Sequence, residues 1–178
     1  MMEGPEPTFD PSPRTIGRAA YIAFFGGVYE SSPWVAEAVW EAGLTAAEDT
    51  PEGLHAAMRR AVESAPRDRQ LRLVRAHPDL AGRAAVAGAL TPASTAEQQS
   101  AGLDRCTPEE FHRFQELNAR YKERFGFPFV IAVKGLTRGE ILAAFGSRID
   151  SDPQSELRAA LFQIHKIARL RLQALASG

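Results

Sequence analysis

Four dipeptides fix what this chain can become: Ser32-Pro33, Thr50-Pro51, Thr107-Pro108 and Asp152-Pro153 each set a capping side chain directly before a proline. The first residue can accept a bond from the orphan N–H groups of a starting helix, and proline at the first helical position has no N–H to leave unpaired. Ser94/Glu97, Thr107/Glu110 and Thr137/Glu140 have the spacing of reciprocal capping boxes. Stop signals follow at Gly26-Gly27, Gly43, Pro66 and Gly126. Between start and stop, apolar residues recur at helical spacing, as in Phe111, Phe114, Tyr121 and Phe125, with one polar interloper at Asn118. The pattern predicts an all-α, single-domain, bundle-like fold.

Only Phe129-Val130-Ile131-Ala132-Val133, between Pro128 and Lys134-Gly135, reads as strand-like. One strand cannot pair its own backbone groups, so the run is expected to be a short extended segment buried among helices. Its N–H and C=O groups then need turns, water or a flat polar ligand. Residues 1–13 are proline-rich and polar and are expected to form a flexible leader, with the helical domain running over 14–178. At 178 residues, with 44% hydrophobic and 24% charged residues, one sizeable core is the expectation.

Charge and cysteine content narrow the partners. The net charge is -1 and the basic residues are scattered, which argues against a nucleic-acid phosphate backbone. A lone cysteine, Cys106, excludes an internal disulfide framework and fits a reducing compartment. No run of roughly 20 apolar residues suggests a membrane helix, and neither terminus carries a secretory or peroxisomal signal, so the cytoplasm is the expected location. Neither a zinc-ligand spacing nor a phosphate-binding glycine loop is present.

Several residues could carry chemistry. On the last helix, at roughly 100° per residue, Leu157, Leu161, Ile164, Ala168 and Leu175 share an apolar stripe. Arg171 falls inside that arc, Arg169 beside it and Lys166 opposite. A guanidinium in that arc is either half of a buried ion pair or the anion-binding wall of a pocket. His77 precedes Pro78, which drives it out of helical geometry, so a helix should end there and the imidazole project from a rigid corner. Glu97 either closes a capping box or serves a ligand at a helix N-terminus. His55, His112 and His165 read as partly exposed surface histidines, and Cys106 as an inert thiol.

Taken in order, the segments Phe25-Gly26-Gly27-Val28-Tyr29-Glu30, Ala76-His77-Pro78-Asp79-Leu80-Ala81-Gly82, Ser94-Thr95-Ala96-Glu97-Gln98, Phe114 to Tyr121, Arg124 to Ile131 and Lys166 to Leu172 resemble the 2-oxo-4-hydroxy-4-carboxy-5-ureidoimidazoline (OHCU) decarboxylases. The resemblance runs from about residue 14 to the C-terminus. It implies an all-helical homodimer that turns a small-molecule substrate, OHCU, into (S)-allantoin and CO₂ in urate degradation, without metal or organic cofactor. It carries catalytic roles onto His77 and Glu97. Substrate contacts carry onto Pro78, Ser94, Thr95, Ala96, Glu97, Gln98, Phe129, Val130, Ile131, Ala132, Val133 and a late-helix arginine, for which the helical phase selects Arg171. A non-catalytic helical ligand-binding or protein-interaction module is the alternative, with Trp34 and Trp40 as anchors.

Overall fold

A computed structural model describes residues 7–178; residues 1–6, the first part of the expected leader, lie outside it. Among the described residues the secondary structure is wholly helical. The α-helices are α1 (Arg18–Phe25), α2 (Trp34–Ala42), α3 (Pro51–Glu63), α4 (Arg67–Arg75), α5 (Arg83–Val86), α6 (Pro92–Ser100), α7 (Pro108–Phe125), α8 (Arg138–Arg148) and α9 (Pro153–Ser177). Short 3₁₀ turns lie at Ala46–Asp49 and Leu103–Arg105. No helix of these residues is long and apolar enough to cross a membrane.

The caps explain most boundaries. Thr50 accepts from the Gly53 N–H ahead of Pro51, and both Thr107/Glu110 and Thr137/Glu140 close reciprocal boxes. The α7 helix ends at Gly126 in the left-handed region, where glycine has no Cβ to clash. Two expectations fail. Pro33 stands at the N-cap of α2 rather than at its first helical position, so Ser32 is not the cap. Thr91, not Ser94, caps α6, because Pro92 takes the first helical position and Thr91 accepts from the Ser94 N–H. Ser94 and Glu97 therefore lie inside the helix and form no capping box. A box at Thr45/Glu48, which the sequence reading passed over, opens the first 3₁₀ turn.

The chain folds as two compact units. The first comprises residues up to Ala76 together with His165–Gly178. Its core holds Tyr21, Phe25, Tyr29, Val35, Leu54, Met58, Val62, Leu73 and Leu172, all essentially removed from water. Part of the expected leader belongs to it. Phe9 is buried, its N–H donates to the Asp49 carbonyl at 2.9 Å, and its ring meets Phe25 edge-on at 5.0 Å. Burying one such ring is worth roughly 1.5–3 kcal/mol, enough to hold residues that composition marks as loose.

The second unit is His77–Ile164. Its centre is Tyr121, whose ring lies 4.6 Å from Phe125, 5.3 Å from Phe129 and 5.9 Å from Phe145. Phe129 stacks on Phe145 at 3.8 Å. The Tyr121 hydroxyl donates to Glu156, which also takes Arg148 Nη2 at 2.5 Å. A buried carboxylate is thus neutralised by a guanidinium rather than left as a lone charge. The run 129–133 is buried and non-helical as expected, with Ile131 the least covered.

Candidate active site

Most of the residues singled out by the sequence lie in the second unit. The α4 helix stops at Arg75 and Ala76 caps it, as Pro78 requires. His77 follows, and only 7% of it remains exposed. The expected projecting imidazole is instead an enclosed one.

What fixes the turn after the histidine is a set of amide side chains. Gln98 Oε1 accepts from the Ala81 N–H at 3.0 Å, and its Nε2 donates to the Asp79 carbonyl at 3.2 Å. Asn118 Nδ2 donates to the Leu80 carbonyl at 2.9 Å, and Gln115 Nε2 donates to the Ala81 carbonyl at 2.8 Å. Lys122 adds an ion pair to Asp79 at 2.6 Å. Three consecutive backbone carbonyls after His77-Pro78 are therefore claimed by side chains of α6 and α7. The bend is tight: Ala81 sits at φ 48°, a left-handed conformation that L-residues adopt at a cost. A Cβ on Gly82 would come within 2.7 Å of Asp79 Cβ, so only glycine fits there. Bent backbone at such a cost persists where its surroundings over-determine it.

On α6 the expected contact residues do not share one face. At 3.6 residues per turn, Ser94, Glu97 and Gln98 point to one side, Thr95 to its edge and Ala96 to the opposite side. Burial agrees: Ser94 is 4% and Gln98 5% exposed, Thr95 and Glu97 are intermediate, and Ala96 is exposed. Thr95 Oγ1 spends its hydrogen bond on the Thr91 carbonyl at 3.0 Å. Gln98 bonds the corner through both amide atoms and so braces the turn, using one of two lone pairs and one of two N–H donors.

A turn supplies one partner for the segment 129–133, as expected, the Val133 carbonyl accepting from the Leu136 N–H at 3.0 Å, but side chains supply others that the sequence reading did not foresee. The Val130 carbonyl accepts from Arg148 Nη1 at 2.8 Å, and the Ala132 N–H donates to Gln163 Oε1 at 3.1 Å. Arg148 also lies over the Phe129 ring, 4.5 Å from its centroid. Long polar side chains of α8 and α9 thus stand in for the missing partner strand.

Arg171 belongs to the first unit. The helical phase places it correctly: its side chain is 9% exposed and Nη2 meets Glu30 at 2.9 Å, itself 3% exposed. Arg169 is 54% exposed and pairs with Glu52. The phase misplaces two neighbours. Leu175, expected on the apolar stripe, is 41% exposed near the end of α9, and His165, expected at the surface, is buried. His165 Nδ1 lies 2.8 Å from the Tyr29 hydroxyl, and burial pushes the imidazole pKa down to about 4. His55 reaches the His165 carbonyl at 2.9 Å and is likewise pushed down by burial, while His112 is exposed.

Sequence reasoning missed Gln115 and Glu30 as parts of these arrangements, and noticed Asn118 without assigning it work. The signal in each case is a polar residue in an apolar register, which a folded chain must pair.

Comparison with known proteins converges on one description. A family model described as OHCU decarboxylase matches residues 14–173. The 2-oxo-4-hydroxy-4-carboxy-5-ureidoimidazoline decarboxylase of Haloferax volcanii is 46% identical over 153 residues, covering 86% of this chain and 87% of that protein. The protein of that description from Mus musculus is 39% identical over 156 residues, covering 87% and 85%. A crystal structure of (S)-allantoin synthase superimposes with a TM-score of 0.71 at 34% identity over 92% of this chain, which spans 52% of that longer chain. A crystal structure of an OHCU decarboxylase in the presence of (S)-allantoin gives 0.67 at 25% identity, covering 91% of this chain and all of that one. With its family match running nearly end to end and relatives this similar over most of their own length, the chain belongs to the OHCU decarboxylase family.

Proposed function

We propose that the chain decarboxylates 2-oxo-4-hydroxy-4-carboxy-5-ureidoimidazoline to (S)-allantoin and CO₂ in the breakdown of urate. The observation that carries this reading is 46% identity, over 153 residues, to a protein named for that activity.

The chemistry suits a protein that supplies only placement and protons. The carbon that loses CO₂ lies next to a C=N unit, so the electron pair of the breaking bond has a sink within the substrate. The pair charges a ring nitrogen, the neighbouring hydroxyl gives up its proton to become a carbonyl, and a proton must reach the ureido-bearing carbon on one face. The protein has to hold the carboxylate, stabilise charge as it develops and deliver that proton.

His77 is assigned the proton transfer. Its enclosure, at 7% exposure, keeps bulk water from protonating either face at random. Glu97, half-covered on the same side of α6 as Ser94, is assigned the ureido and ring N–H groups and the orientation of the imidazole. Pro78, the segment Ser94, Thr95, Ala96 and Gln98, and the run Phe129, Val130, Ile131, Ala132 and Val133 are assigned substrate contacts. Arg171 is assigned the anionic end of the substrate, which a guanidinium binds with paired donors. The working form is assigned as a cytoplasmic homodimer.

The test generates the substrate in situ from urate and follows optical activity. Wild type should accelerate decay of the intermediate and build a single-handed signal. His77→Asn should retain its helical circular dichroism and lose turnover by roughly 10²–10⁴-fold, the usual contribution of a positioned proton donor. Racemic product at the uncatalysed rate with wild type would sink the function. Wild-type turnover in His77→Asn would sink the role of His77.

A further inference from the structure

The non-helical strap between α1 and α2 carries a buried carboxylate that the scheme above does not use. Glu30, 3% exposed, holds Arg171 Nη2 at 2.9 Å. The same guanidinium sends Nη1 towards the Gly27 and Val28 carbonyls, each at 3.3 Å. One short stretch of chain therefore presents three oxygens to one guanidinium. The stretch is itself anchored one residue away, where the fully buried Tyr29 hydroxyl meets His165 Nδ1 at 2.8 Å. His165 and Arg171 are two positions of the same helix, so adjacent strap residues grip α9 at two heights. Ser31 follows at φ 45°, a left-handed turn that a non-glycine residue adopts only when its neighbours hold it there.

Stability alone is a poor reason for such a pair. Replacing a buried ion pair by apolar side chains is often neutral or better, because desolvation offsets the attraction. Direction is a better reason. An arginine fixed by a carboxylate and two carbonyls keeps its plane in one orientation, which a directed contact to a substrate carboxylate requires.

We propose that Glu30 is a positioning residue for the decarboxylation, aiming the Arg171 guanidinium at the anionic end of the substrate. The inference rests on the decarboxylase reading, in which Arg171 meets substrate. Glu30 acts only through Arg171.

A double-mutant cycle tests this. Glu30→Gln, Arg171→Gln and the double variant are assayed for kcat/KM on in-situ substrate and for (S)-allantoin affinity by calorimetry, with helical circular dichroism recorded on each sample. Glu30→Gln should lower kcat/KM by about 10–100-fold, the order expected when a substrate-holding group loses its support. Glu30→Asp, which keeps the charge, should recover part of that loss. In the Arg171→Gln background, Glu30→Gln should add no further loss in kcat/KM or in affinity. Full turnover in a folded Glu30→Gln, or losses that multiply in the double variant, would overturn the inference while leaving the decarboxylase reading intact. If Glu30→Gln does not fold, Glu30→Asp decides: lower kcat/KM with wild-type helical content supports the proposal, and unchanged kcat/KM overturns it. An inactive wild type overturns the decarboxylase reading, and this inference with it.

Discussion

The His77 corner and the Arg171 strap each fix a side chain proposed to meet substrate, by opposite means. At the corner the side chain is placed through its backbone: Gln98, Gln115 and Asn118 hold the peptide groups of residues 79–81 with neutral amide bonds. At the strap the side chain is gripped directly, by the buried carboxylate of Glu30. A neutral bond contributes about 1 kcal/mol net and can be lost singly, whereas stranding one half of a buried ion pair costs about 3–5 kcal/mol. A histidine assigned a proton transfer gains from a fixed backbone. An arginine that must keep its charge gains from a counter-charge. The corner is therefore built to degrade gradually and the strap to fail at once.

The contrast breaks most sharply at Arg171. Arg171→Ala leaves Glu30 buried without its cation and should lower stability by about 3–5 kcal/mol. Arg169→Ala removes only an exposed pair with Glu52 and should change it by under about 1 kcal/mol. Thermal melts of the two variants side by side check this, and equal shifts would mean that the strap is no more demanding than the surface.

Acid probes the strap next. Burial lowers His165 from 6.5 to about 4, so on acidification the unfolded chain takes up a proton before the folded one does. The stabilising difference is complete above pH 6.5 and is lost as pH falls towards 4, amounting to roughly 3 kcal/mol at most. His55, lowered by burial as well, acts in the same sense. Melting temperature should therefore decline between pH 7 and 4.5, and His165→Gln should flatten that decline. A slope unchanged in the variant would place the acid sensitivity elsewhere.

The corner should show the smallest single losses. Asn118→Leu keeps the apolar register but leaves the Leu80 carbonyl without its donor, a cost of about 1–3 kcal/mol. Stability should fall by that amount while kcat/KM falls further, since the turn carrying His77 loosens. Gln115→Ala, from a half-buried position, should cost about 1 kcal/mol. Losses at the corner as steep as that of Arg171→Ala would erase the distinction.

Much of the helical plan was legible because caps and prolines act locally. Thr50-Pro51, Thr107-Pro108 and Asp152-Pro153 each begin a helix where the sequence says so. Ser94/Glu97 misled because two start signals overlap: Thr91-Pro92 lies three residues upstream, and the proline decides between them. Helical phase placed Arg171 but not His165, because phase assumes one covered face. Along the middle of α9, Glu156, Leu157, Ala160, Ile164, His165, Ile167 and Ala168 are all buried, an arc far wider than one stripe. The histidine corner was foreseeable from Pro78, but the bracing of the turn after it was not, since the amides that bond Leu80 and Ala81 lie 17 to 38 positions away along the chain.

The segment Phe129 to Val133 has a bearing on the life of the protein before and after folding. Five consecutive apolar residues without charge, proline or glycine are the composition of a sequence that stacks with copies of itself. In the folded chain its amide edge is occupied by Arg148 and Gln163 and its side chains are nearly all covered. Pro128 and Lys134 stand at its two ends, where a rigid ring and a charge discourage cross-β growth. The stretch that packs beneath Arg148 and Gln163 is thus also the stretch whose exposure, in a nascent or damaged chain, would seed aggregation.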